Sequence, residues 1–183
     1  MTKVLTESDY NLINNAIRDI KDFPKEGIVF KDITTLLNNK EAYSTLMNHL
    51  SARYATYELD YIVGLDARGF IFGAALAYML GVGFVPVRKK GKLPSKTVSV
   101  DYELEYGIDT VELHEDAFHN KKDARVLIID DLIATGGTAG AAIELVEKVG
   151  AKVVETCFII ELTFLEGSSN IKKNHELYSV VKV

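Results

Sequence analysis

The sequence predicts an α/β fold, with a doubly wound and mostly parallel sheet flanked by helices. Three observations carry this expectation. Residues 126–129 (VLII) are consecutive apolar residues without alternation, and Val126, Ile128 and Ile129 are β-branched, the pattern of a strand covered on both faces. Runs of this kind alternate along the chain with stretches of helical periodicity, as in parallel sheets joined by crossover helices. Two of the strand-to-helix junctions, at 64–69 and 134–138, are rich in small residues, and such junctions form the edge at which open α/β sheets bind ligands.

The elements follow in order. Thr6, Glu7, Ser8 and Asp9 precede Leu12, Ile13, Ala16, Ile17 and Ile20 at helical spacing, which predicts a capped amphipathic helix running to about Ile20. The segment Phe23-Pro24-Lys25-Glu26-Gly27 breaks it. Residues 41–57 read as a second helix with Leu46, Leu50 and Tyr54 on one stripe, leading into a short strand at 61–64. Residues 69–80 are apolar nearly all round and predict a buried helix, and 84–87 the next strand. Residues 89–110 have no sustained helical stripe and predict a long mobile segment or a hairpin. The strand at 126–129, a helix at 139–149, a strand at 153–162 and a last strand at 176–183 complete the chain.

Composition narrows the function. A chain of 183 residues, 48% apolar and 26% charged, suits one globular domain. The net charge of −5 and the lack of a basic face argue against nucleic acid as a partner. The single cysteine, Cys157, lies in an apolar run and reads as a buried core thiol, so neither a disulfide framework nor a cysteine metal site is expected. The first nine residues hold no apolar signal core and no apolar run reaches about 18 residues, so a membrane partner is not expected and the cytoplasm is the default.

Residues 126–138 (VLIIDDLIATGGT) carry most of the functional information. They join a buried strand, the carboxylates of Asp130 and Asp131 at its end, and a loop of small residues, Ala134, Thr135, Gly136, Gly137 and Thr138, opening onto a helix. Backbone N–H groups and a helix N-terminus converge there, which suits a phosphate dianion. A purely structural turn has no need of two carboxylates that are costly to desolvate. The run lacks the Lys-Ser/Thr ending of a Walker A loop and is not G-x-G-x-x-G. Asp66, Ala67 and Arg68 sit at the other strand-to-helix junction, and a cation opening a helix opposes the macrodipole unless an anion binds there. Residues 88–92 (RKKGK) put four cations just after a strand end, a pyrophosphate-type clamp in which Arg88 could act bidentately and Lys89 and Lys92 as point charges.

The 126–138 run closely resembles the phosphoribosyl pyrophosphate (PRPP) signature of the type I phosphoribosyltransferases. Together with 23–34 (FPKEGIVFKDIT), 64–70, 88–94 and 104–107 (LEYG), nearly the whole chain is similar to those members that act on adenine. Only the stretch after about Glu166 carries no motif. This resemblance implies a single domain over 1–183, with a small N-terminal helix and base-binding hood over about 1–35, and transfer of the 5-phosphoribosyl group from PRPP to adenine. Asp130 and Asp131 would hold the ribose hydroxyls, and residues 134–138 the 5′-phosphate. Asp66, Ala67, Arg68, Arg88, Lys89 and Lys92 would hold pyrophosphate, with Arg88 serving either its own site or that of a neighbouring subunit in a homodimer. Val29 and Lys31 would read the adenine edge through the main chain and Phe30 would stack on the base, although from periodicity alone Val29 and Phe30 are ordinary core residues. Glu105 would handle the purine N7 proton, with Tyr106 closing the site and Arg68 assisting catalysis. Mg²⁺ would be held mainly by PRPP and water, with no certain protein ligand.

Three rival readings differ in base or class. A guanine, hypoxanthine or xanthine enzyme is opposed by the 29–31 segment. A PRPP-sensing repressor needs a DNA-binding domain for which no residues are spare. A nucleotide-binding module using the glycine loop alone leaves the acidic pair without a role.

Overall fold

The computed structural model describes residues 5–104 and 107–183. They divide into two compact units, Met1–Ala55 and Thr56–Val183.

In the first unit, helix α1 (Glu7–Asn15) opens with Thr6, whose Oγ1 accepts from the Asp9 N–H at 3.1 Å. It stops five residues short of the expected end. Residues Arg18–Lys21 form strand β1, antiparallel to β2 (Val29–Asp32), with Arg18 opposite Asp32 and Lys21 opposite Val29. Backbone pairing with β2 thus overrides the helical spacing of Ile17 and Ile20. Helices α2 (Thr34–Leu37) and α3 (Lys40–Tyr54) follow, the latter capped by the Asn39 side chain and ending three residues before the expected position. Helices α1 and α2 pack on α3, and Ile13, Leu36, Leu46 and Leu50 are fully buried.

Asp32 fastens the end of β2. Its Oδ2 accepts from Arg18 Nε at 3.1 Å and Nη2 at 2.5 Å, while its Oδ1 accepts from the Thr34 N–H and hydroxyl. These bonds, led by that from Arg18, hold its carboxyl down at about 2 against an ordinary 3.8. The contribution to stability is therefore complete above 3.8 and lost as pH falls toward 2. An NMR titration of the Asp32 carboxyl is expected to show that depressed midpoint, and Arg18→Gln to move it back up.

The second unit holds β3 (Tyr61–Leu65), α4 (Gly69–Leu80), β4 (Gly83–Lys89), β5 (Thr97–Leu104), β6 (Gly107–His114), β7 (Arg125–Ile133), α5 (Gly137–Lys148), β8 (Lys152–Glu161), a 3₁₀ turn (Thr163–Leu165), α6 (Gly167–Ile171) and β9 (Leu177–Lys182). The strands form one sheet in the order β5-β6-β4-β3-β7-β8-β9. The five from β4 to β9 run parallel, and the β5–β6 hairpin closes one edge antiparallel. Residues 89–110 are therefore largely hairpin.

From β3 the chain moves first to β4 on one side and later to β7 on the other, so the order reverses between β3 and β7. That reversal leaves a crevice at their carboxyl ends. Side-chain alternation separates the two sheet faces. Val63, Leu65, Val126 and Ile128 join the Ala139, Ala142 and Val146 side of α5 in one core. Gly64 and Ile129 lie on the face covered by α4, where Gly73 lets the helix approach Ile129 and Phe84 closely. Helix α4 has the expected limits but is not buried all round, because Ile71, Tyr78 and Met79 leave one side exposed.

Candidate active site

Both strand-to-helix turns arrive at the crevice. Strand β7 continues past Asp130 and Asp131 to Ile133, paired with β8 throughout, so the two carboxylates are carried on sheet backbone rather than in a free loop. Asp131 is 2% exposed. Its Oδ2 lies 3.1 Å from Arg68 Nε without forming a well-directed hydrogen bond, and its N–H donates to Asp130 Oδ1 at 2.8 Å. Gly69 makes this arrangement possible: a Cβ there would stand 2.7 Å from the Ile129 carbonyl oxygen and 2.9 Å from Asp130 Oδ1. A larger residue would push the β3–α4 turn, and Arg68 with it, away from the acidic pair.

Burial and the neighbouring Asp131 charge push the Asp130 carboxyl well above its ordinary range, and burial raises Asp131 in spite of Arg68. Two adjacent carboxylates, Asp131 buried and Asp130 half-buried, with one half-exposed arginine are under-compensated. Hydroxyl donors of a sugar, or a divalent cation with hard oxygen preference, would supply what is missing.

Beside the pair, residues Leu65, Arg68, Thr135, Gly137, Thr138 and Phe158 contribute to the walls of a cleft of ≈ 230 Å³. Gly136 caps α5 in the left-handed conformation, φ +85°, and no side chain caps the helix. No acidic residue stands in the first turn. The leading N–H groups of α5 are therefore left to a ligand, and a phosphate dianion satisfies both the donors and the positive helix end. Gly136→Ala would force a Cβ into that left-handed backbone and to within 2.6 Å of the Gly167 carbonyl oxygen. Left-handed strain of this kind costs about 1–3 kcal/mol. Binding of a phosphate dianion at this loop is expected to weaken by roughly tenfold or more, which calorimetry with a sugar phosphate checks.

The pyrophosphate candidates lie on neighbouring strands. Asp66, Ala67 and Arg68 follow β3, and Arg88 and Lys89 end β4, which pairs with β3 in the register Leu65 to Val87. The Asp66–Ala67 peptide is cis. Asp66 Oδ2 accepts from Arg88 Nε at 3.2 Å and from the Lys89 N–H at 3.3 Å. Arg88 also reaches the Lys92 carbonyl at 3.4 Å and sits 5.9 Å from the Phe70 ring centroid. Lys89 pairs with Asp109 at 3.0 Å, and Asp109 in turn accepts from the Tyr102 hydroxyl at 3.2 Å. Arg88 and Lys89 thus have carboxylate partners that an arriving anion would share or displace.

Val29, Phe30 and Lys31 lie in the first unit, on β2. Val29 and Lys31 are alternate residues, so their backbone groups point to the same side of the strand. Phe30 meets Phe23 edge-on at 5.2 Å, and Lys31 Nζ pairs with Asp19 at 2.7 Å. Glu105 and Tyr106 lie outside the described residues.

The family model for the phosphoribosyl transferase domain matches residues 32–183. The adenine phosphoribosyltransferase of Sulfurimonas denitrificans is 62% identical over 179 residues, 98% of either chain. The chain belongs to the adenine phosphoribosyltransferases. Among solved structures, the adenine phosphoribosyltransferase of Rhodothermus marinus is 45% identical with a TM-score of 0.91, covering 97% of this chain and 100% of its own. That of Saccharomyces cerevisiae, solved with an imino-altritol bisphosphate and adenine, is 41% identical with a TM-score of 0.88 over 96% and 99% of the two chains. As an adenine phosphoribosyltransferase, the chain has the expected mostly parallel sheet and a crevice where the family's PRPP signature falls. Among the described residues no helix is long and apolar enough to cross a membrane. One part of the site carried no sequence signal: Gly167, in the stretch without a motif, packs directly against the signature loop.

Proposed function

We propose that this adenine phosphoribosyltransferase joins adenine to PRPP in the β3–β7 crevice, giving AMP and pyrophosphate. The observation that carries the reading is the under-compensated Asp130–Asp131 pair beside an uncapped helix N-terminus. Ribose hydroxyls and a 5′-phosphate would satisfy the two together.

In this reading residues 134–138 bind the 5′-phosphate, and Asp130 and Asp131 accept from the ribose hydroxyls. A ring nitrogen of adenine bonds to the anomeric carbon as the carbon–oxygen bond to pyrophosphate breaks, and the purine N7 proton passes to Glu105. Positive charge building on the ribose is offset by the acidic pair. Negative charge on the leaving pyrophosphate is offset by Arg68, Arg88, Lys89 and Lys92, with Asp66 orienting Arg88 and the Ala67 peptide beside them. Val29 and Lys31 read the base edge and Phe30 stacks on it, while Tyr106 helps exclude water. The hard oxygen donors of the cleft fit Mg²⁺. Bound with PRPP, it would neutralise charge on the pyrophosphate.

The active form in this reading is a cytoplasmic homodimer. The exposed apolar side of α4, with Tyr78 at 89% and Ile71 at 43% exposure, offers a surface for a second copy. Light scattering is expected to give twice the chain mass, and Tyr78→Glu to halve it. Incubation with PRPP, Mg²⁺ and each purine base in turn tests the activity: adenine alone is expected to be converted at a high rate, and preference for guanine or hypoxanthine would overturn the assignment of 29–31.

A further inference from the structure

The start of α6 touches the phosphate loop backbone to backbone. A Cβ on Gly167 would stand 2.0 Å from the Ala134 carbonyl oxygen, 2.5 Å from the Thr135 carbonyl carbon and 2.7 Å from the Gly136 nitrogen. A Cβ on Gly136 would in turn meet the Gly167 carbonyl oxygen at 2.6 Å. No side chain other than hydrogen fits at either position without moving one segment from the other. Glu166, just before, takes the left-handed conformation at φ +53°, an uncommon one for a residue with a side chain. It turns the chain so that Gly167 faces the loop.

A buried polar cluster fastens this turn to the sheet. Glu161 ends β8 opposite Ile133, the residue that leads into the loop, and is 4% exposed. Its Oε1 accepts from the Ser168 hydroxyl at 2.5 Å and lies 3.4 Å from Lys172 Nζ, which also donates to Ser168 Oγ at 3.1 Å. Burial works against the Glu161 charge, but the bond from the Ser168 hydroxyl, with the nearby Ser179 and Lys172, outweighs it and holds the carboxyl below its ordinary range. Ser168 is next in sequence to Gly167, so one hydroxyl ties the glycine contact to the end of β8, which pairs with the end of β7 that bears the loop. Only the Glu161 end of the ion pair is buried, Lys172 being 42% exposed, and pairs reaching solvent in this way contribute little net stability. Their use here is geometric, since the group they fix lies against Ala134, Thr135 and Gly136.

We propose that Gly167, Ser168, Glu161 and Lys172 form a buttress that holds the 134–136 backbone in its phosphate-binding shape, and are positioning residues for PRPP. The proposal rests on the functional reading above. It adds to the signature a set of residues that touch no substrate atom and act through the loop.

The test compares steady-state constants and calorimetric PRPP binding in Gly167→Ala, Ser168→Ala and Lys172→Arg, with Val181→Ala as a control. Val181 is fully buried in β9, pairs with Ile160 and lines no wall of the phosphate cleft, so its truncation is expected to lower Tm through packing. Gly167→Ala is expected to raise the KM and Kd for PRPP at least tenfold and Ser168→Ala at least fivefold, with the KM for adenine within twofold of wild type. Lys172→Arg is expected to stay near wild type, and Val181→Ala to lower Tm without moving the PRPP constants. Unchanged PRPP binding in Ser168→Ala would overturn the buttress, and it decides the matter should Gly167→Ala fail to fold. An equal rise in Val181→Ala would also overturn it, by reducing the effect to general loosening. Failure of the wild type to convert adenine and PRPP at all would instead strike the functional reading.

Discussion

Asp130→Asn is expected to slow the reaction by about 10²–10³ while making the protein more stable at neutral pH. The two effects share one cause. Burial and the Asp131 charge push the Asp130 carboxyl well above its ordinary 3.8, so the folded chain holds a proton that the unfolded chain has released. Below 3.8 both states are protonated and the substitution changes little. As pH rises above that point, the folded state must either keep its proton or bear an uncompensated charge, so stability falls, and the penalty is complete once the raised value is passed. An amide removes the charge and can still accept from the Asp131 N–H, whose bond to Asp130 Oδ1 is 2.8 Å. The gain in Tm over wild type should therefore grow with pH from the acid range upward and level off. A gain of about 1 kcal/mol would appear as roughly 2–4 °C in a chain of this size. Thermal melts of the two proteins across that range, beside their kcat values, check both halves. Sites built to bind a ligand are commonly strained in its absence, so stability and activity move in opposite directions here. A variant with lower activity and lower stability would mean that the pair is a structural fastening of β7.

Glu105→Gln is the second large effect expected, and it separates chemistry from binding. General-base assistance is typically worth about 10²–10⁴ in rate. Turnover is expected to fall by a factor of that order, with PRPP affinity nearly unchanged and a much smaller effect from Glu103→Gln. Pre-steady-state measurements resolve the chemical step from product release. Equal and mild effects at both positions would mean that the purine proton goes to water.

The parts of this molecule that were legible in its sequence are those whose physics is local. The unbroken apolar run at 126–129 reads as a buried strand because both faces are covered, and helix α4 has the limits its glycine and leucine ends suggest. The acidic pair and the loop could be read because a carboxylate pair at a strand end and a helix opened by glycines point to one ligand class. What could not be read depends on partners distant in the chain. The β1 strand exists only through pairing with β2, so its periodicity misleads by five residues. The exposed side of α4 is as apolar as its buried side, and Ile71, Tyr78 and Met79 give no sign in sequence of which way they face. The engagement of Arg88 by Asp66 and of Lys89 by Asp109 joins residues 22 and 20 positions apart, respectively, through the sheet. Gly167 shows the limit most plainly, since its importance comes from touching residues 134–136 across a helix, a strand and a 3₁₀ turn.

The central claim is that the crevice between β3 and β7 binds PRPP through the acidic pair and the uncapped start of α5, and passes its phosphoribosyl group to adenine. The most direct measurement follows AMP and pyrophosphate formed from adenine, PRPP and Mg²⁺ by the wild-type chain and by Asp130→Asn/Asp131→Asn. The account predicts equal molar amounts of the two products from the wild type, and a loss of at least about a hundredfold in the double variant, with losses less than the product of the single ones because both carboxylates address one ribose. Full activity in the double variant, or product formed from PRPP without adenine consumed, would contradict it.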